Sequence, residues 1–276
     1  MGILTNDSQE QKKLEYRLND QFIKAFAKFK LLEDGDHILI GLSGGKDSLL
    51  LTELLAKRSR IQHPRFSVEA LHVRMANVSY ESDTTYLEQF CQELGIPLHI
   101  VTTSFEVAAN PITPDSTSST VYSVPMDASP TLSPALLRKQ KQPCFLCSWN
   151  RRKQLFNKAQ ELGCNKIALG HHQDDILHTA LMNLTFQSHF STMPVRLKMR
   201  KMPLTIIRPL CLCQEKDIKR YAELHDYKQQ AKHCPFEHES NRTTMAELFG
   251  QLENINPEAR FSLWSALESE GKLTED

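Results

Sequence analysis

Residues 37–50 read H-I-L-I-G-L-S-G-G-K-D-S-L-L, and the fold is decided here. An unbroken apolar run, Ile38 to Leu42, runs directly into Ser43-Gly44-Gly45-Lys46-Asp47-Ser48. Leu49, Leu50, Leu51, Leu54 and Leu55 then recur at helical spacing. The first run suits a parallel strand covered on both faces, and the last suits a helix with an inward apolar stripe. Between them, two glycines allow a tight turn and leave amide N–H groups clear of side chains. Such amides at a helix N-terminus, reinforced by the helix dipole, attract anions. Ser43, Ser48 and Lys46 add hydroxyl donors and a cation, so the turn reads as a phosphate cradle.

The common mononucleotide loop requires G-x-x-x-x-G-K followed by Ser or Thr. Here Gly41 to Gly45 is one residue short, and Asp47 follows the lysine. An acid inside a phosphate cradle repels the ligand unless a divalent cation lies between them, so Mg²⁺ is implied. The sextet S-G-G-K-D-S at a strand end resembles the PP-loop of the ATP-pyrophosphatase families. Those enzymes split ATP between the α- and β-phosphates and adenylate a substrate.

Working outward, residues 9–30 carry Leu14, Leu18, Phe22, Phe26 and Phe29 three or four apart, an amphipathic scaffold helix. Further strands fit Phe66–Val73, Leu98–Val101, Lys166–Leu169 and Leu204–Ile207, with helical patterns between them. That alternation predicts an α/β fold, doubly wound, with a mostly parallel sheet of about five strands. The expected division is a helical extension over 1–35, a nucleotide-binding domain over 36–212 and a helical C-terminal region over 213–276. Residues 113–134 contain no Lys or Arg and are rich in Ser, Thr and Pro, so they read as a mobile surface loop. The acidic tail, 267–276, is expected to fray.

From Arg138 to Lys158 there are seven basic residues and no acid. Arg138, Lys139, Lys141, Arg152 and Lys153 therefore form a local positive patch suited to a phosphate backbone, and Trp149 offers a ring for stacking on an unpaired base. Cys144 and Cys147 open this patch in P-C-F-L-C-S-W-N-R-R. With the distant Cys234 they supply three thiolates. Spacing leaves three readings open: a [4Fe–4S] cluster with one iron lacking a protein ligand, a zinc completed by His233 or His238, and a redox pair. Cys91, Cys164, Cys211 and Cys213 read as packing residues.

The fourth strand opens into Gly170-His171-His172-Gln173-Asp174-Asp175. Open α/β sheets bind ligands beyond the C-terminal ends of their strands, so these residues face the crevice of the phosphate turn. Asp174 or Asp175 can share Mg²⁺ with Asp47, one of the two aspartates caps the following helix, and Gly170 lets a flat adenine approach the backbone. His171 and His172 read as orienting or structural residues. His72, at the end of the second strand, joins Ser43–Ser48 and Gly170 as a nucleotide-binding candidate.

Taken together, S-G-G-K-D-S, P-C-F-L-C-S-W-N-R-R, I-A-L-G-H-H-Q-D-D-I-L-H-T, I-I-R-P-L and E-K-D-I resemble the TtcA family of tRNA 2-thiocytidine synthetases, over about residues 12–245. The resemblance implies ATP, Mg²⁺, a [4Fe–4S] cluster held by Cys144, Cys147 and Cys234, a tRNA substrate, a sulfur donor such as a cysteine desulfurase, and a homodimer. It implies catalytic roles for Lys46, Asp47, Asp174 and Asp175, with Mg²⁺ on Asp47 and Asp175, and contact of Arg151 with nucleotide or base. The implied chemistry adenylates the C2 oxygen of a cytidine and then replaces it with sulfur. Thiouridine-forming relatives often add zinc-binding cysteine pairs at both ends, and none stands in this chain.

Composition sets the outer bounds. The chain has 276 residues, 40% hydrophobic and 24% charged, with formal net charge +0. These values are ordinary for a globular protein and exclude a generally basic nucleic-acid binder. No apolar run approaches the roughly 20 residues of a membrane span. Residues 1–13 are polar and do not resemble a secretory signal, so a cytoplasmic enzyme with no membrane contact is the expectation. The rivals are a lysidine synthetase-like ligase, which adenylates the same carbonyl but needs no thiolates, and a zinc-stabilised RNA-binding module, which would not turn ATP into AMP.

Overall fold

The computed structural model describes residues 3–76, 79–80, 83–104, 143–230, 232–233 and 241–275, and of Cys144 the backbone alone. The Ser/Thr/Pro-rich loop, Arg138, Lys139, Lys141 and Cys234 lie outside the described residues. In chain order the elements are α1 (Ile3–Phe29), β1 (Asp36–Gly41), α2 (Lys46–Ser59), β2 (Phe66–Met75), β3 (Ser79–Tyr80), α3 (Thr85–Leu94), β4 (Leu98–Thr103) and α4 (Pro143–Glu161). There follow β5 (Lys166–Ala168), α5 (Gln173–Gln187), β6 (Arg196–Lys198), β7 (Thr205–Ile207), α6 (Glu215–Leu224), β8 (Lys232–His233), α7 (Asn241–Ile255), α8 (Ala259–Ser269) and β9 (Thr274–Glu275).

The main sheet runs β4-β2-β1-β5-β7-β6-β9. Its first five members are parallel and correspond to the five strands legible in the sequence. Two more strands extend the edge. β6 pairs antiparallel with β7, and β9 pairs parallel with β6. The stretch Arg196–Lys201, read as a basic loop, thus contributes a short strand lying between β7 and β9. Part of the tail expected to fray is held: Val195 N–H donates to the Leu273 carbonyl at 2.7 Å.

β1 shows why the hydrophobic run is unbroken. Ile38, Leu39 and Ile40 are all fully buried, because helices cover both faces of the sheet. Ile38 and Ile40 join a cluster with α1, α2, α5, α6 and α8, whereas Leu39 turns to the other side to pack with Leu71, Val73, Ala159 and Ile167 under α4. After β1 the chain moves outward to β2 and β4, then crosses back to β5 on β1's other flank. The gap between β1 and β5 is therefore the topological switch point, where such sheets open a crevice.

Behind the crevice, α2 is locked to the α6 region by one buried acid. Glu53 accepts from Tyr221 Oη at 2.8 Å, from Tyr227 Oη and from Lys57. Burial pushes its carboxyl up, but these three donors outweigh that and hold it below the ordinary range. The Glu53→Ala variant should lose about 3 kcal/mol in urea unfolding, since two buried hydroxyls lose their acceptor. A lowered folded pKa means stability present at neutral pH and lost as pH falls through that value. Stability in the variant should therefore decline less steeply than in the parent below pH 4.5, the carboxyl's ordinary value.

Candidate nucleotide and sulfur-transfer site

The turn after β1 is organised by one hydroxyl. Ser48 Oγ accepts from the N–H groups of Ser43 and Gly44 at 3.2 Å each and from Ser43 Oγ at 3.1 Å, while donating to the Gly45 carbonyl at 2.9 Å. The loop is thereby wrapped tightly around the first turn of α2. Gly45 caps that helix with no side-chain hydrogen bond, so the first-turn amides are left to an external anion. Gly44 takes φ +85°, and a Cβ there would stand 2.7 Å from Gln230 Cβ. Gln230 N–H also donates to the Gly44 carbonyl at 2.9 Å, so the chain after α6 straps down the loop.

A cleft of about 320 Å³ opens at the switch point. Its floor is Gly41, Leu42, Ser43, Asp47 and Ser48, with Leu71 and Val73 of β2 on one side. Leu169, Gly170, His171 and Asp175 form the opposite wall, and Arg151 and Leu155 of α4 overhang it. The volume falls within the range of small-molecule sites. Gly170 approaches the loop so closely that a Cβ would stand 3.1 Å from the backbone carbonyl of Asp47 and the amide of Ser48. Since those neighbours are backbone, any larger residue would force the two walls apart.

The two aspartates of the fourth-strand motif part company. Asp175 faces the cleft and caps its own helix, accepting from His172 N–H at 3.1 Å. Asp174 departs from the catalytic role expected for it: neither of its oxygens lines the cleft. One accepts from Arg260 Nη2 at 2.7 Å and the other from Glu215 N–H at 2.7 Å. It fastens the N-terminus of α6 and α8 to α5. Burial raises the Asp174 carboxyl, but His172, the Glu215 amide and Arg260 overwhelm that and hold it far below the ordinary carboxylate range.

Asp47 is different. Burial raises its carboxyl against the opposing charges of Lys46 and His172, with Asp175 raising it further. Its Oδ1 is buried and has no hydrogen-bond partner. Such an oxygen, across the cleft floor from a second carboxylate, fits a divalent cation, whose charge would satisfy both. Lys46 does not line the cleft. Its ammonium lies 3.0 Å from Glu215 Oε1 and 3.3 Å from Asp47 Oδ2. His72 likewise stands behind the cleft wall. It is buried, with Nδ1 2.7 Å from the Leu42 carbonyl, and burial lowers its pKa against that hydrogen bond. It meets the cleft through the backbone of Leu42, which lines it.

His172 is buried among Asp47, Asp174 and Asp175, at 3.4 to 3.8 Å from their oxygens. Burial would lower its pKa, yet these acids together leave it raised. His171 projects into the cleft, and its Nδ1 accepts from Arg208 Nε at 3.3 Å. Periodicity gives no hint of this pair: Arg208 lies in I-I-R-P-L, 37 residues beyond His171, and only the parallel pairing of β5 with β7 brings the two strand ends together.

On α4, Cys147 is partly buried against the cluster that contains Leu71, Val73, Leu155 and Leu169, the same side chains that wall the cleft. Cys144 stands one helical turn earlier. Trp149 is 50% exposed, so it is no core residue, and Lys153 Nζ lies 5.5 Å above its ring. Arg152 and Lys153 are exposed beside it. Cys91, Cys164, Cys211 and Cys213 are buried as expected, and burial pushes the Cys91 and Cys164 thiols up to about 11. Among the described residues no group of three or more His, Cys, Asp and Glu could hold a metal, and no helix is long and apolar enough to cross a membrane.

Known proteins match both the loop and the fold. Residues 11–120 match the family model of a PP-loop domain. The U34-tRNA thiolase NcsA from Methanococcus maripaludis, solved with its [4Fe-4S] cluster, superposes with a TM-score of 0.67 at 22% identity, covering 94% of this chain and 79% of that one. It shares the fold. A tRNA-cytidine(32) 2-sulfurtransferase of Pseudomonas syringae pv. syringae is 30% identical over 270 residues, spanning 98% of this chain and 88% of the relative. The enzyme of the same name from Pseudomonas fluorescens strain SBW25 is 31% identical over 273 residues, with the same coverage. With identity sustained across nearly the full length of both partners, the chain belongs to the tRNA-cytidine(32) 2-sulfurtransferase family.

Proposed function

We propose that the chain uses ATP to adenylate the C2 oxygen of a cytidine in tRNA and then replaces that oxygen with sulfur, at position 32 as its relatives are named. The observation that supports this reading is the phosphate turn on the floor of the switch-point crevice, beside a core cluster that shares Leu71, Val73, Leu155 and Leu169 with the crevice lining and has Cys147 packed against it. The strap at Gln230 ties the chain four residues before Cys234 to Gly44. The antiparallel pairing of β8 with β3 draws His233, the residue before Cys234, toward the end of β2.

A pyrimidine carbonyl is a weak electrophile with a poor leaving group, so the oxygen must be activated first. The first-turn amides of α2 grip the phosphates, while the Ser43 and Ser48 hydroxyls hold the turn in shape. Lys46, one residue into α2, is within a side chain's swing of the same phosphates once it exchanges Glu215 for them. Attack of O2 on the α-phosphate forms the O–P bond and expels pyrophosphate. Arg151, overhanging the cleft, faces the charge that develops. Sulfide then forms the C2–S bond and AMP leaves with the oxygen, with no net redox change. Gly170 lets the strand end close onto the phosphate turn, and exposed Trp149, Arg152 and Lys153 offer stacking and phosphate contacts outside.

Mg²⁺ between Asp47 and Asp175 would balance the phosphate charge. A [4Fe–4S] cluster on Cys144, Cys147 and Cys234 would supply an iron open to sulfide as carrier and Lewis acid. Sulfide would come from a donor such as a cysteine desulfurase, and the chain would act as a homodimer in the cytoplasm, where tRNA and reduced thiols coexist.

The test is anaerobic purification with iron and sulfide assays, followed by incubation with ATP, Mg²⁺, sulfide and unmodified tRNA. Mass spectrometry of digested nucleosides should show 2-thiocytidine matched by AMP. Thiolated uridine in its place, or zinc where iron is expected, would overturn the proposal.

A further inference from the structure

Arg208 is buried at 7% exposure at the end of β7, held by donation from its Nη1 to the Pro194 carbonyl. Its Nε–H points at Nδ1 of His171 across 3.3 Å. A guanidinium has only donors, so the nitrogen it faces must offer a lone pair. An imidazole with an unprotonated Nδ1 carries its single proton on Nε2. From this geometry we infer that Arg208 is a positioning residue that fixes His171 in its neutral Nε2–H form, so that His171 is a hydrogen-bond donor to a phosphoryl oxygen of the bound nucleotide.

The choice of acceptor follows from where the ring stands. His171 shares its wall with Gly170, whose backbone abuts the phosphate turn at Asp47 and Ser48. Among the other polar side chains on the cleft, Arg151 is a donor, the Ser43 and Ser48 hydroxyls are bonded within the turn, and the two carboxylates suit a cation. A donor on this wall completes a set around an anion. With the Arg208 Nε–H directed at it, the Nδ1 lone pair is engaged at the back of the ring, which leaves Nε2 as the protonated nitrogen of the neutral imidazole. The identity of the bound anion rests on the function proposed above, but the tautomer does not.

Two measurements separate these claims. In long-range ¹H–¹⁵N spectra of the labelled protein without nucleotide or tRNA, the His171 signals, identified by their loss in H171Q, should show a protonated Nε2 and a bare Nδ1. A protonated Nδ1 overturns the inference. The second is tRNA-dependent AMP formation. H171N should lose about a hundredfold in kcat, as for loss of one oriented donor, whereas H171Q, whose amide N–H can replace Nε2–H, should recover most of it. R208M alone should lose about tenfold, and R208M added to H171N should cost nothing further, because Arg208 acts only through the ring. Additive losses overturn the positioning role. If the parent enzyme makes no 2-thiocytidine yet shows the bare Nδ1, the proposed function falls while the tautomer stands.

Discussion

Cys147→Ser is expected to reduce iron content sharply and to lower tRNA thiolation by roughly two orders of magnitude or more, while ATP-analogue binding stays near that of the parent. Serine is close to cysteine in size, and Cys147 packs at the margin of the smaller core cluster, so the fold should survive. An alcohol, however, is a far poorer ligand for iron than a thiolate. The separation of the two readouts is the point. The turn around Ser48, proposed to hold the phosphates, lies between β1 and α2, whereas the thiol sits on α4. Iron assay, nucleoside analysis and calorimetry with a non-hydrolysable analogue together decide it. A variant that keeps its iron and its thiolation would remove Cys147 from the sulfur site.

Asp47→Asn should lower AMP formation by about a hundred- to a thousandfold, the scale of losing a charge that positions a catalytic cation. Substrate-range Mg²⁺ should no longer saturate the variant. The same change should leave the melting temperature unchanged or slightly higher. The native carboxylate is half-buried, with one oxygen fully covered and lacking any hydrogen-bond partner, so a neutral amide relieves a desolvation cost. Lost activity with retained or improved stability marks a group kept for chemistry, not for folding. Activity within tenfold of the parent would show that the cation, if bound, is held elsewhere.

The parts of this fold legible in the sequence are those written in local pattern. Five parallel strands and the loop S-G-G-K-D-S follow from apolar runs, glycines and a helix start, which need no knowledge of distant residues. What escaped detection depends on long-range pairing. β6 and β9 are three and two residues long, too short for periodicity, and only pairing with β7 and β9 makes Arg196–Lys198 a strand. Asp174 and Asp175 are neighbours in sequence, and which one sees the cleft is settled by helix phase. That phase sends Asp174 toward Arg260, 86 residues away. The hold of Gln230 on Gly44 and of Arg208 on His171 are likewise tertiary facts. Residue types named the chemistry, and the third dimension assigned the work.

The long first helix has a consequence for how the chain is made. α1 buries Leu18 and Phe22 in a cluster with Ile218, Tyr221, Trp264 and Leu267, and Arg17 reaches Asp217 at 2.7 Å. Each of those partners is translated some two hundred residues later. At elongation speeds of about 5–20 residues per second, the nascent helix waits on the order of ten seconds or more with its apolar stripe uncovered. During that interval it is a natural client for a ribosome-associated chaperone, and the yield of native protein should depend on how well the stripe is shielded until α6 and α8 emerge.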